Sequence, residues 1–158
     1  MTVVGITGHA NLTDNTTALI CNSIRAELAK FSGAGLVGVT CLARGSDQVF
    51  ADVVLELGGD IEVLVPAADY FDRIDDKASR DRCDAYLRQA SAVHTLAYPA
   101  ANGDAYLAAS REVVDRSDLM LAVWDGSWGS GTGQAVAYAQ SVDQAVVTIW
   151  PDGATRRA

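Results

Sequence analysis

The sequence predicts a single α/β domain with a mostly parallel, doubly wound sheet of about six strands and helices on both faces. Short β-type runs alternate with apolar repeats at helical spacing along the whole chain. Most of these runs are continuously apolar, which is typical of strands covered by helices on both faces. The length of 158 residues fits one hydrophobic core. Together these observations favour right-handed crossovers and a Rossmann-like sheet.

Apolar runs predict the strands in chain order. They are Val3–Thr7, Leu36–Leu42, Ile61–Val65, Ala92–Ala97, Leu119–Trp124 and Ala145–Trp150. Helical spacing predicts the intervening helices, which contain Ile20–Phe31, Phe50–Leu57, residues 79–90, residues 105–116 and Ala135–Ala139. We expect residues 1–152 to form the domain and residues 153–158 to form a flexible tail.

The composition narrows the class of protein. The apolar fraction is 49% and the charged fraction is 20%, as in an ordinary globular domain. The apolar runs are too short for a transmembrane helix, so no membrane partner is expected. The N-terminus lacks the basic start and long apolar segment of a secretory signal, which predicts a cytoplasmic protein.

The negative net charge limits which kinds of partner the chain can bind. The net charge is −8, from 12 basic and 20 acidic residues, so the chain repels polyanions and no nucleic acid is expected as a partner. A small anion is compatible with this charge because backbone amides at helix ends can hold phosphate. Two isolated histidines and three widely separated cysteines give no metal-ligand pattern, so neither a metal site nor a disulfide is expected.

The first predicted strand ends in the segment GITGH, where Thr7, Gly8 and His9 are candidate ligand contacts. In an open parallel sheet, ligands bind beyond the carboxyl ends of the strands, so the loops that follow strands carry the site. Glycine lets the backbone approach a ligand closely. The alternative is a tight strand-to-helix turn with His9 on the surface, and spacing alone does not separate the two.

The second predicted strand leads through Arg44, Gly45, Ser46 and Asp47 directly into a helix. Ser46 is placed to cap that helix, and Asp47 complements the helix dipole in the first turn. The same turn offers a guanidinium, a glycine and free amides, which together predict a cradle for phosphate or carboxylate. The capping role and the binding role are compatible with each other.

The glycine-rich segment DGSWGSGTGQ at residues 125–134 follows the fifth predicted strand and precedes a helix. Amides at the start of that helix, together with the Thr132 hydroxyl, would bind an anion. This segment contains no lysine, which excludes an ATP-hydrolysing P-loop. The alternative is a flexible Gly-Ser loop. The candidate contacts in this segment are Asp125, Gly126, Gly129, Ser130, Gly131 and Thr132.

Aromatic residues soon after the third predicted strand are further candidates. Tyr70, Phe71 and Arg73 would form a wall for a nucleotide base. The alternative is that this loop packs against the edge of the sheet.

Four segments in this order and spacing resemble the SLOG superfamily of Rossmann-like proteins, from about Val3 to Pro151. They are GITGHANL, LARGSDQVFADVVLELG, DRSDLMLAVWDG and GSGTGQAVAYA. Relatives in that superfamily include the LOG phosphoribohydrolases, also called lysine-decarboxylase-like proteins, and the DprA-type domains. The resemblance implies a nucleotide or nucleotide-derived ligand, contacted by Gly8, His9, Arg44, Gly45, Asp47, Gly131 and Thr132.

The chain departs from the LOG pattern where the family resemblance would supply catalysis. LOG enzymes carry a PGGxGTxxE motif whose acid acts on the N-glycosidic bond. Here the prolines are absent, and Ala135 stands three residues past Thr132 with Gln134 before it. Cleavage of a glycosidic bond needs a carboxylate, and a glutamine takes no proton at neutral pH. The remaining catalytic candidates are Asp125, Gln134 and Arg111.

These observations order the expected functions. The first is binding of a nucleotide or nucleotide-derived anion at the carboxyl edge of the sheet, as a sensor or as an enzyme with an unidentified catalytic group. The second is a LOG-like phosphoribohydrolase acting on a nucleoside 5′-monophosphate. The third is DprA-like binding of nucleic acid, which conflicts with the negative charge. A homo-oligomer is also expected, while no cofactor beyond the phosphate-bearing ligand is indicated.

Overall fold

The computed structural model describes residues 1–32 and 35–158. Its strands are β1 (Thr2–Gly8), β2 (Leu36–Thr40), β3 (Asp60–Ala67), β4 (Ala92–Tyr98), β5 (Leu119–Val123) and β6 (Val146–Ile149). Its α-helices are α1 (Asp14–Leu28), α2 (Ser46–Glu56), α3 (Lys77–Gln89), α4 (Gly103–Arg116) and α5 (Gly131–Ser141). Short 3₁₀ turns cover Ala29–Phe31 and Phe71–Arg73.

The strands form one parallel sheet in the order β4-β3-β2-β1-β5-β6. The chain moves outward from β1 to β4 and then returns to add β5 on the other side of β1. The register pairs Gly8 at the end of β1 with Val123 at the end of β5. The predicted doubly wound, Rossmann-like α/β fold is therefore confirmed, and the strand order reverses between β1 and β5.

Helices cover both faces of the sheet, which explains the continuously apolar strands. One core joins α1 and α2 to the sheet through residues such as Ile24 and Phe50, which are fully buried. The other joins α4 and α5 to the opposite face through residues such as Val113 and Ala139. Each fully buried large aliphatic or aromatic side chain contributes about 1.5–3 kcal/mol to this packing.

The second strand ends two residues before its predicted end. It ends at Thr40, because Leu42 adopts a left-handed backbone with φ of +57° and leaves the sheet. The Thr40 hydroxyl accepts a hydrogen bond from the Leu42 amide at 3.0 Å, which holds this turn. Leu42 is buried although it lies outside the strand, so its apolar side chain indicates a place in the core and not a place in β2.

The fifth strand likewise ends at Val123, one residue before its predicted end. Trp124 begins the following loop, and its indole N–H donates to the Ser127 carbonyl at 2.9 Å. In the described part of the chain, no helix is both long enough and apolar enough to cross a membrane.

Candidate functional site

A cleft of about 960 Å³ opens at the carboxyl ends of the strands. Its floor is made by the ends of β1, β2 and β3, and its sides by the starts of α2 and α5 and by one face of α4. The cleft therefore lies at the strand-order reversal, where open α/β sheets bind their ligands.

Most of the residues singled out from the sequence line this cleft. Those that do are Thr7, Gly8, His9, Arg44, Asp47, Ser130, Gly131, Thr132 and Gln134. The others do not contact it: they are Gly45, Ser46, Arg111, Asp125, Gly126 and Gly129. The three loops after β1, β2 and β5 are thus brought together, as predicted from their positions after strands.

His9 is buried rather than on the surface, with 3% of its area exposed. Its amide donates to the Val123 carbonyl at 3.0 Å, which continues the pairing of β1 with β5. Its Nε2 lies 3.0 Å from Oδ1 of Asp125 and accepts from the Asp125 amide at 3.1 Å. Burial is the main reason why the pKa of His9 is lowered, so the ring is neutral at pH 7. His9 therefore connects two loops.

The carboxylate of Asp125 is fully engaged, and Asp125 is not among the residues that line the cleft. Its Oδ1 accepts from the Ser127 hydroxyl at 2.6 Å and from the Ser127 amide at 2.9 Å, and its Oδ2 lies 3.1 Å from the Arg156 guanidinium. These bonds, the Ser127 hydroxyl first among them, hold the pKa of Asp125 well below its usual range. A carboxyl that stays ionised at all physiological pH values cannot serve as a general acid.

Gly45 and Ser46 connect the second loop to the first. Gly45 has φ of +83° and is the N-cap of α2, and a Cβ there would lie 2.7 Å from the Ala10 carbonyl oxygen. Ser46 is the first residue of α2 and does not cap the helix, contrary to the prediction. Its hydroxyl and amide both donate to the His9 carbonyl, at 2.8 and 3.3 Å, because the β1 loop passes directly over the helix start.

Asp47 is buried beside the cleft, with 6% of its area exposed. Its Oδ2 accepts from the Thr40 hydroxyl and the Cys41 amide, both at 3.3 Å, and from the Ala43 amide at 3.4 Å. Burial nevertheless raises the pKa of Asp47 to about 7, because desolvation outweighs these three donors. Asp47 is therefore a carboxyl that lines the cleft and changes charge near neutral pH.

The start of α5 presents free polar groups to the cleft. Ser130 caps the helix, and its hydroxyl accepts from the Gly133 amide at 3.0 Å. No bond within the described chain engages the amides of Gly131 and Thr132. Thr132 is 6% exposed and lines the cleft, and its hydroxyl has no hydrogen-bond partner among the described residues. An unpaired hydroxyl that reaches the cleft beside free helix amides is a set of donors that can hold an anion.

Two tyrosines form part of the cleft wall. Tyr70 and Tyr106 line it, with their ring centroids 5.9 Å apart in an edge-to-face arrangement, and Arg73 lines it as well. Phe71 packs edge-on against Tyr70 at 4.9 Å, and both residues pack against the apolar core. The packing role of this segment is therefore observed, and a role in holding a base stays a prediction.

Two of the catalytic candidates lie in different surroundings. Gln134 lines the cleft from the first turn of α5, with its side chain exposed. Arg111 lies on the outer side of α4, where its guanidinium is 5.2 Å from the centre of the Tyr138 ring. This cation–π contact joins α4 to α5 and does not reach the cleft.

Arg156 was not among the residues predicted from the sequence, yet it lines the cleft from the segment expected to be a flexible tail. Its guanidinium donates to Asp125 and, at 3.0 Å, to Asn11. The Thr155 amide donates to the Thr16 hydroxyl at 2.7 Å, so the segment lies along the start of α1. The sequence carries no local signal for this docking, because all the partners are distant in the chain. The flexibility of residues 153–158 stays a prediction.

No cluster of three metal-ligating side chains occurs in residues 1–32 and 35–158. The charged groups around the cleft are three carboxylates and three guanidinium groups, from Asp47, Asp75, Asp76, Arg44, Arg73 and Arg156.

The strand order and the helices on both faces define a Rossmann-like α/β domain, and solved structures share this fold, in agreement with the fold that the predicted resemblance implies. DNA processing protein A (DprA) from Streptococcus pneumoniae superposes with a TM-score of 0.72 and 17% identity, over 97% of this chain and 52% of that chain. The chain thus spans about half the length of that protein. DprA from Helicobacter pylori superposes with a TM-score of 0.72 and 19% identity, over 98% of this chain and 68% of that chain.

A molybdenum cofactor binding protein from Rippkaea orientalis is also similar. It gives a TM-score of 0.64 and 16% identity over 96% of this chain and 77% of that chain. Neither a protein-family model nor a curated protein matches the sequence.

Proposed function

We propose that this domain binds a nucleotide or a closely related phosphate-bearing small molecule in the cleft between β1 and β5. The observation that carries the proposal is the start of α5, where the unpaired Thr132 hydroxyl and the free amides of Gly131 and Thr132 face the cleft. Helix N-termini bind phosphate through such amides and through the helix dipole, without a lysine.

Two further features support a nucleotide-like ligand. Arg44 lines the cleft and makes no ion pair with another described residue, so its guanidinium is available for a second anionic group. Tyr106 is 44% exposed on the opposite wall, where a planar base could pack against its ring. The cleft volume of about 960 Å³ lies within the range of small-molecule sites.

Hydrolysis of an N-glycosidic bond gains little support from the catalytic candidates. Asp125 has both carboxylate oxygens engaged by His9, Ser127 and Arg156, and Arg111 is on the far side of α4. Gln134 lines the cleft but carries no titratable proton. We therefore propose binding as the function, in a sensor or carrier role.

Two neighbours in fold suggest ligands to test. The Rippkaea orientalis protein binds the molybdenum cofactor, and the Helicobacter pylori DprA binds single-stranded DNA. The net charge of −8 disfavours a polyanion, so we propose a small-molecule ligand and no nucleic acid partner. Homo-oligomerisation and a cytoplasmic location stay predictions.

Calorimetry against AMP, ADP, NAD, ADP-ribose, cyclic dinucleotides and the molybdenum cofactor tests the proposal, with adenosine as the phosphate-free control. We expect saturable binding of a phosphate-bearing compound and none of adenosine. A matched pair of variants locates the site. A Cβ at Gly131 or Gly129 meets no atom within 4 Å, but only Gly131 lines the cleft.

Gly131→Val is therefore expected to weaken binding at least about tenfold, since a side chain would enter the space of the phosphate, while Gly129→Val binds like the wild type. Absence of binding by every compound, or equal binding by both variants, would contradict the proposal.

A further inference from the structure

The two oxygens of the Asp47 carboxyl have different surroundings. Oδ2 is held by three donors from the end of β2 and the following turn, namely the Thr40 hydroxyl and the amides of Cys41 and Ala43. Oδ1 receives no hydrogen bond from any described residue, although only 6% of the area of Asp47 is exposed. Asp47 lines the cleft, and every fully enclosed side-chain oxygen in the described chain is paired, so Oδ1 faces the cleft.

A buried oxygen of this kind selects the chemistry that it meets. The donors fix the side chain in one orientation, so Oδ1 is a preorganised acceptor. A carboxylate oxygen repels phosphate and attracts a hydroxyl or amino group. The end of the cleft at Asp47 therefore takes the opposite kind of group from the end at α5.

The topology separates these two ends. Asp47 follows β2 and Thr132 follows β5, with β1 lying between these strands. Two strand spacings of about 4.8 Å put the ends of β2 and β5 roughly 10 Å apart across the sheet. A ligand that reaches both groups has its anionic group and its donor group well separated.

We infer that Asp47 Oδ1 accepts a hydrogen bond from a hydroxyl or amino group of the ligand, at the end of the cleft away from the phosphate. The inference rests on the proposed function and specifies its ligand class: a sugar phosphate or nucleotide with a free hydroxyl or amino donor. Simple phosphates lack that second group and reach only the α5 end.

The substitution Asp47→Asn tests this assignment with little disturbance to the fold. The asparagine carbonyl oxygen can accept the three bonds now made to Oδ2, and its NH₂ group then takes the place of Oδ1. The acceptor in the cleft becomes a donor. Asp72→Asn is the control, because Asp72 is an exposed carboxyl near the cleft that does not line it.

The probes are AMP and inorganic phosphate, with the other compounds of the panel in place of AMP if they bind more tightly. We expect Asp47→Asn to weaken binding of the nucleotide about 10-fold to 100-fold, as for loss of a hydrogen bond to a charged group. Binding of inorganic phosphate should change less than about twofold, and Asp72→Asn should bind both probes like the wild type. Equal loss for both probes, or no loss for the nucleotide, overturns the inference.

Proton release provides a second measurement that needs no variant. A donor bound to Oδ1 favours the ionised carboxyl, so wild-type protein should release a proton when it binds the nucleotide near pH 7. Calorimetry in buffers of different ionisation enthalpy measures that proton. The neighbouring thiols and phenol do not release this proton near pH 7, because burial raises the pKa of Cys41, Tyr70 and Cys83 above their ordinary alkaline values.

Any proton exchanged by His9 or by the ligand phosphate is exchanged in the wild type and in Asp47→Asn alike. The difference in proton release between these two proteins therefore reports on Asp47. Wild-type protein that binds no compound overturns the proposed function and this inference together. Nucleotide binding that is unchanged in Asp47→Asn, with no difference in proton release, overturns the inference alone.

Discussion

Replacing Asp47 by asparagine should make the free energy of unfolding less sensitive to pH. Asp47 is buried, and its pKa is raised from the ordinary 3.8 to about 7 in the folded protein. The unfolded chain therefore loses this proton at lower pH than the folded protein. Stability from Asp47 is fully present below about pH 4 and is lost as the pH rises to about 7.

The size of the effect follows from the two pKa values. The folded and unfolded values differ by about three pKa units, which corresponds to about 4 kcal/mol at about 1.4 kcal/mol per unit. Wild-type protein should lose that amount between about pH 4 and pH 7 and little more above it. Asparagine has no proton to lose. The free energy of unfolding of the variant minus that of the wild type should therefore be larger at about pH 8 than at about pH 4.

Urea denaturation of both proteins across this pH range measures the difference directly. Other carboxyls, such as Asp125 and Asp69, have lowered pKa values and lose their stabilising contribution as the pH falls. Both proteins contain them, so their effect cancels in the difference between the two. A difference in stability that stays constant within about 0.5 kcal/mol over the range would refute the assignment of a raised pKa to Asp47.

Three further substitutions test the site and its supports. Gly45→Ala should lower the free energy of unfolding by about 3 kcal/mol in urea titrations, because φ is +83° and the new Cβ would meet the Ala10 carbonyl; a neutral result would contradict that close approach. Arg156→Ala should cost about 1 kcal/mol at low salt and less at high salt, since its ion pair with Asp125 is partly exposed; a salt-independent loss would exclude the ion pair as its cause. Arg111→Ala should leave nucleotide affinity unchanged in calorimetry and cost less than about 1 kcal/mol, because its contact with Tyr138 lies outside the cleft; a large loss of affinity would put Arg111 in the site.

The fold was predictable because it depends on local signals that the sequence carries plainly. Continuous apolar runs such as Leu119–Val123 form buried parallel strands wherever helices cover both faces. Leu42 shows the limit of that reasoning, since it is apolar and buried but leaves the strand in a left-handed turn. Only its hydrogen bond to Thr40 and its packing distinguish it from a strand residue.

The location of the cleft was also predictable, because the loops after parallel strands lie on one edge. The roles of individual residues within it were not. The Ser46 hydroxyl donates to a carbonyl 37 positions away rather than capping its own helix, and Asp125 is bonded to Arg156 across 31 positions. Such contacts depend on tertiary structure, which residue type and spacing along the chain do not specify.

His9 makes the three loops around the cleft behave as one unit. Its carbonyl accepts both bonds from Ser46, and its imidazole contacts Asp125, so the segments after β1, β2 and β5 share a single side chain and its peptide group. Substitutions in different loops should therefore show non-additive effects on stability. Because these loops are already held together, ligand binding costs the protein little conformational entropy. Selectivity then depends on the fixed shape of the cleft rather than on rearrangement of its loops.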